Sequence, residues 1–396
     1  MSLLLLVIIY IGFISLGLPD SVFGVSWPVM HIDFHLDQSF ASIMTVIIAC
    51  GTVWTSMVAG KVIRKFGTGK VAGISILMTA ISLVGISFAP SIWFVILFMI
   101  ILGIGAGAVD AGLNDYVSRH YKPQHMSWLH CFWGVGVTVS PLIMAISLKD
   151  DNWRIGYRRV SVLLFIIAVI MLSALPLWKK MSKNDFKDTA EDHKKTDEKK
   201  VRPITIKGVG IAMVILAFYC SVEMILGTWG ASFLINTKGI NAATAAKWIS
   251  FYFGGIVAGR FINGFLSMRF SDKVLILGGI SIGLFGAILL MLPISNMLLL
   301  GSLVLIGAGY GPIFPCSIHA TSARFGEKYS PDIVGYQMGG AYMGALIIQP
   351  AFGFVASKTT FLLMPYVLLV LTLLQLLLTL MLEKKLKKDK ETIAAV

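Results

Sequence analysis

The sequence predicts an all-α membrane protein: twelve transmembrane helices in two six-helix, pseudo-symmetric halves. Three observations predict it. Hydrophobic residues make up 57% of the 396 positions and charged ones 13%, about half the charge of a soluble globular chain, and the mean hydropathy is +0.83. A spanning helix takes about 20 apolar residues and a short connection, so the length holds twelve spans and no large soluble domain. Glycine and proline features of the first half also recur in the second. This excludes a soluble catalytic or nucleic-acid-binding domain, and the net charge of +13 becomes a matter of topology, with no nucleic-acid partner implied.

The apolar runs mark helices at 3–30, 39–63, 71–89, 92–118, 126–148 and 156–178, then at 206–235, 243–267, 273–292, 297–322, 333–356 and 360–382. The first run has no basic segment before it and no small-residue cleavage site after it, so it reads as a helix and not a signal peptide. The domains expected are an N-terminal six-helix bundle at 1–178, a linker at 179–203, a C-terminal bundle at 204–382 and a basic tail at 383–396. The linker carries nine Lys or Arg and six Asp or Glu and is too charged to insert. Placing the amino terminus inside puts 25 Lys and Arg on the cytoplasmic side. Only Lys149, Arg154, Arg158, Arg159, Lys238, Lys247 and Lys358 fall outside, and Arg260 lies within a span. That asymmetry predicts two cytoplasmic termini. Arg119, Arg154 and Arg324 stand at helix ends and read as topology determinants.

The repeat is specific. Gly103, Gly105 and Gly107 of the fourth helix return as Gly307, Gly309 and Gly311 of the tenth, 204 residues later. Gly136 and Pro141 are echoed by Gly344 and Pro350. Two halves of like orientation form a parallel repeat around a shared cavity, and closely spaced small residues let helix backbones approach.

A charge at bilayer depth costs at least about 2.5–3.5 kcal/mol, so each one needs a reason. Asp20 follows Pro19 in the first helix, where a local break would admit water. Asp110 and Asn114 share one face of the fourth helix, and His130 lies early in the fifth. Glu223 and Trp229 lie in the seventh, Arg260 and Asn263 in the eighth, His319 in the tenth, and Gln337 and Gln349 in the eleventh. Asp20 and Asp110 have no evident basic partner, which suits carboxyls that bind and release a proton. Glu223 has a candidate partner in Arg260, so a structural ion pair and a ligand role both stand. His130 reads equally as a packing residue, and His319 as a structural one. Amides, carboxylates and the aromatic faces of Trp27, Trp133, Trp229, Tyr252, Tyr310, Phe314 and Tyr342 together suit a polyhydroxylated solute. There is no Gly-x-x-x-x-Gly-Lys-Ser/Thr run, no Cys/His cluster at metal spacing and no nucleophile motif. The chain is therefore not expected to be an enzyme or to hold a cofactor. Cys50, Cys131, Cys220 and Cys316 lie in apolar runs and read as core residues.

Over nearly its whole length the chain resembles the major facilitator superfamily. Gly60-Lys-Val-Ile-Arg-Lys-Phe-Gly67 is similar to that superfamily's Gly-x-x-x-Asp-Arg-x-Gly loop. Arg64 stands where the pattern has its acid, so the loop's usual salt bridge is not implied. A narrower resemblance is to the fucose:proton symporter family and its hexose-transporting relatives. It is carried by Asp110-Ala-Gly-Leu-Asn114, Met126-Ser-Trp-Leu-His130-Cys-Phe-Trp-Gly134 and Tyr219-Cys-Ser-Val-Glu223 with Gly227-Thr-Trp229. Gly259-Arg260, Asn263-Gly264 and Ile313-Phe-Pro315 complete it. That resemblance implies the major facilitator fold and proton-coupled monosaccharide symport by alternating access. It implies coupling and sugar-binding roles for Asp20 and Asp110, and the family's helix-four amide and helix-seven acid for Asn114 and Glu223. The expected substrate contacts are thus Asp20, Asp110, Asn114, His130, Glu223, Trp229, Asn263 and Gln337. The coupling ion is a proton or sodium, the partners a small polar solute and the lipid bilayer, the state monomeric, and the location a bacterial inner membrane. Efflux of amphipathic compounds by antiport is the alternative, and a non-transporting membrane receptor a more distant one.

Overall fold

The computed structural model describes residues 3–121, 123–150, 152–178, 203–293, 295–326 and 329–394. The predicted linker, except for its last residue, lies outside them. The described residues contain twelve helices long and apolar enough to cross a membrane, and a helix pairs its backbone polar groups along its own length, as a bilayer requires. The chain divides into two compact units, Met1–His35 with Ile43–Lys200, and Leu36–Ser42 with Val201–Val396.

In the first unit, α1 (Leu3–Asp33) packs mainly on α5 (Pro123–Ser147), while α3 (Thr68–Phe88) packs on α4 (Ile92–His120) and α6 (Trp153–Ser173). α2 (Phe40–Phe66) completes the six. α1 runs unbroken through Pro19 and Pro28, so the break expected at Asp20 does not occur. The reason lies in its neighbour: the backbones of α1 and α5 cross so closely that a Cβ on Gly17 would collide with the Trp133 carbonyl, and one on Gly136 with that of Ile14. Such packing holds a proline-containing span in line. Arg154, expected as a topology determinant, makes backbone contacts. Its Nη1 donates to the Ser87 and Ala89 carbonyls at 3.3 and 2.8 Å, closing the end of α3, where cations are favoured.

The second unit repeats this arrangement with α7 (Val209–Lys238), α8 (Ala242–Leu266), α9 (Asp272–Met291), α10 (Asn296–Tyr310), α11 (Ile313–Phe325), α12 (Ser330–Lys358) and α13 (Leu363–Ala394). The helix expected over 297–322 is two helices. Pro312 has no N–H for the Ala308 carbonyl, which interrupts the ladder of helical hydrogen bonds, while Gly311 and Pro312 both keep right-handed helical dihedrals and Asn296–Phe325 forms one span. The last helix continues past 382 to Ala394. Glu383 secures the extension, accepting from Arg324 Nε at 3.1 Å and Nη2 at 2.7 Å.

The glycine triplets show why the halves resemble each other. In α4, Gly103 and Gly107 lie against Ile48 and Thr52 of α2, while Gly105 meets Ser75 and Thr79 of α3. In α10, Gly307 lies against Tyr252 of α8 and Gly311, just past its end, against Arg260, while Gly309 meets Gly279 and Gly283 of α9. The outer glycines of each triplet thus receive the second helix of the half and the middle glycine the third. All four cysteines are free: Cys316 is buried, but Cys50 is exposed and is not a core residue.

A side chain at Gly309 has no space, because its Cβ would stand 2.5 Å from the Gly283 nitrogen, whereas the Cβ position of Gly301 on the same helix is open. Gly309→Val is expected to destabilise the protein by at least about 1–3 kcal/mol through overpacking, and Gly301→Val to have little effect. Thermal unfolding of the two purified variants in one detergent checks the difference.

Candidate functional site

The eight candidate residues fall four to a unit. In the first, Trp133 Nε1 donates to Asp20 Oδ2 at 2.8 Å. The indole comes from α5 and the carboxylate from α1, so the close crossing at Gly17 and Gly136 sets this contact, and Asp20 stays exposed. On α4, Asn114 Nδ2 donates to Asp110 Oδ1 at 2.8 Å and to the Asp110 carbonyl at 3.0 Å, as expected for residues one turn apart. α1 also touches α4, so the two carboxylates stand on adjoining helices. His130 is half-buried and lies edge-on to Phe13, with ring centres 5.4 Å apart. Asp20 and Asp110 each receive a neutral N–H donor. A carboxylate held this way keeps lone pairs for further donors, such as solute hydroxyls.

The second unit is built differently. Glu223 of α7 and Arg260 of α8 form a buried ion pair with Arg260 Nη2 3.8 Å from Glu223 Oε1. The same Nη2 donates to Tyr219 Oη at 3.2 Å. Tyr219 stacks on Tyr310, whose hydroxyl reaches Thr372 at 2.8 Å and Gln375 at 3.2 Å. Asn263 is buried beside Cys316, with Nδ2 3.4 Å from its sulfur. Gln337 Oε1 accepts from Thr321 at 2.8 Å, which ties α12 to α11. Trp229 is fully buried, packed on Gly353 and 5.8 Å from the Phe361 ring. The structure thus brings Glu223 together with Arg260 and Tyr219, and sets Asn263, Gln337 and Trp229 in separate contacts. His319 Nδ1 lies 2.8 Å from Asp272 Oδ2, a link from α11 to the first turn of α9.

Sequence reasoning passed over Thr372 and Gln375, which with Thr379 are buried on α13. A signal was present: three polar residues three and four apart in an apolar span mark one inward face. It also passed over Asp33, whose Oδ2 accepts from Trp153 Nε1 at 2.6 Å.

Leu36–Ser42 belongs to the second unit. There Asp37 Oδ1 accepts from the Ser39 backbone N–H at 2.8 Å, and Lys358 Nζ lies 3.0 Å from Asp37 Oδ2. The Ser39 hydrogen bonds, then Lys358, hold the Asp37 carboxyl down at about 2, from an ordinary 3.8. A depressed carboxyl contributes its stability above the ordinary value and loses it as pH falls through the depressed one. Asp37 is thus a carboxylate at every pH from about 5 to 8. Lys358→Met is expected to leave the pH profile of activity in that range unshifted and to cost under about 1 kcal/mol, as an exposed pair does. Activity and thermal stability measured across pH check both.

The sequence matches the profile of the Major Facilitator Superfamily over residues 9–345 and 211–395. It is 24% identical to the glucose/mannose transporter GlcP of Bacillus subtilis over 364 residues, 89% of this chain and 88% of that one. It is also 24% identical to the cis,cis-muconate transport protein of Acinetobacter baylyi, over 82% and 80% of the two chains. Among solved structures it is similar to the xylose transporter XylE from E. coli, with a TM-score of 0.72 at 12% identity, covering 96% and 98% of the chains. A D-xylose-proton symporter gives a TM-score of 0.71 at 13% identity, covering 96% of each.

Proposed function

The chain belongs to the Major Facilitator Superfamily and is a multi-pass membrane transporter, and from that membership we propose that it is a proton-coupled importer of a monosaccharide. The observation that carries this reading is the pair of carboxylates in the first unit. Asp20 and Asp110 lie on membrane-spanning helices, each held by a neutral donor, Trp133 or Asn114. Keeping a carboxylate at that depth is costly unless it works. Such a group accepts hydrogen bonds from sugar hydroxyls when ionised and donates one when it carries a proton, so solute occupancy and protonation share the same atoms. The half-buried Trp133 adds an indole, whose face suits the C–H side of a sugar ring. The similarity to a glucose/mannose transporter over most of both chains supports the substrate class.

Transport follows by alternating access, as in carriers built from two such repeats. A proton and a sugar enter from outside and leave into the cytoplasm of a bacterial cell whose inner membrane holds the protein with both termini inside. The Lys and Arg asymmetry supports that orientation. The working unit is a monomer.

Purified protein in liposomes loaded with a pH-sensitive dye tests the reading, with hexoses, deoxyhexoses and other small polar solutes added one at a time. Internal acidification on adding one sugar is the expected result, and Asp110→Asn is expected to abolish concentrative uptake while exchange stays measurable. Accumulation by Asp110→Asn against a gradient would remove that residue from coupling. No pH change with any sugar, alongside export of amphipathic cations, would replace import with efflux.

A further inference from the structure

α2 is the most thinly packed of the twelve spans. Of its most apolar stretch 17% is buried, against 39–67% in the other eleven. Beside it, between α2, α3 and α4, lies a groove of about 430 Å³. Small side chains make its floor: Thr55 and Ala59 of α2, Ser75 of α3 and Ala108 of α4, all buried. Trp54 and Phe66 of α2 stand exposed at its rim. The groove follows α2 from Trp54 to Phe66, about 18 Å at a rise of about 1.5 Å per residue. That is a little over half of a hydrocarbon core about 30 Å thick, the reach of a lipid tail in one leaflet.

A hollow of this kind forfeits the dispersion contacts of its lining, and in a bilayer the acyl chain is the molecule at hand to restore them. The charges at one end say which lipid. No Asp or Glu occurs between Gln38 and Val109, while Lys61, Arg64, Lys65 and Lys70 crowd one short stretch. All four are exposed. Lys65 of α2 and Lys70 of α3 converge on the Phe66 ring, with Nζ 5.3 and 5.8 Å from its centre, and Lys70 itself lines the groove. Neither lysine forms an ion pair among the described residues.

We propose that this groove is a binding site for one anionic phospholipid, its acyl chain laid along α2 between Trp54 and Phe66 and its phosphate on the ammonium groups of Lys65 and Lys70. A phosphatidylcholine offers the same tail, but its head group carries a cation into a place that already holds two. A free phosphate offers the charge without the chain. The bound lipid bridges α2 and α3 and gives the least-packed span the contacts that the protein does not supply. With the amino terminus inside, it belongs to the cytoplasmic leaflet, where basic segments beside a span meet anionic head groups. Only that choice of leaflet rests on the topology proposed above.

Native mass spectrometry of the full-length protein in detergent, titrated with dioleoylphosphatidylglycerol or dioleoylphosphatidylcholine, tests this without needing any transport. One phosphatidylglycerol is expected to bind first and more tightly than any phosphatidylcholine. Lys65→Gln/Lys70→Gln is expected to weaken that first binding about thirtyfold. Lys384→Gln/Lys385→Gln removes the same charge from the tail and is expected to leave it unchanged. Val58 also lines the groove, and Val58→Trp, which fills it while keeping every charge, is expected to abolish the tight binding. Thermal unfolding shows whether that variant is folded, and if it is not, the two lysine pairs decide alone. Equal affinity for the two lipids overturns the proposal. So does equal loss from the two lysine pairs, which would mean attraction to basic surface at large, and so does full binding by a folded Val58→Trp.

Discussion

Contact between helix backbones, made possible by glycine, is the constraint on which the rest of this protein depends. Inside a bilayer no hydrophobic force drives helices together, because lipid is as apolar as leucine, and close packing must supply the attraction. The triplets at Gly103–Gly107 and Gly307–Gly311 do so in the same way in each unit, their alternate members facing different neighbours. Gly17 and Gly136 do the same for α1 and α5. Two polar groups of the site are set beside these approaches. Trp133 reaches Asp20 because α5 lies against α1, and Arg260 lies against Gly311 because α8 meets the end of α10.

Much of this was legible in the sequence, for a physical reason. A membrane span must be a long apolar run, so span number and repeat follow from composition and spacing, and the twelve runs reappear as twelve spans. The departures occur where backbone chemistry competes with hydropathy. Gly311-Pro312 lies inside an apolar stretch, and hydropathy cannot report a missing N–H. Pro19 sits in a comparable stretch but leaves α1 continuous, because the neighbouring α5 decides the outcome. The extension of α13 to Ala394 depends on Glu383 meeting Arg324, a contact 59 residues away that periodicity does not contain.

The site was legible in its charges and not in its partners. Asp20, Asp110, Glu223 and Arg260 declare themselves because a charge among apolar residues demands an explanation. One contact could be read from spacing, that of Asn114 with Asp110, since residues four apart on a helix adjoin. Trp133 with Asp20 and Thr321 with Gln337 join different helices, and only the packing brings them together. Aromatic composition was the weakest guide. Trp229, grouped with the polar set by its position in the chain, fills core space against Gly353, whereas Trp133 holds a carboxylate.

The two units thus treat the acids of their spans in different ways. The first gives Asp20 and Asp110 neutral donors and leaves them partly accessible, so their charge state is open to a solute or to water. The second encloses Glu223 with a permanent cation. A buried ion pair is a poor means of holding helices together, since well-packed apolar side chains of similar volume are often equally stable or better by about 1–4 kcal/mol.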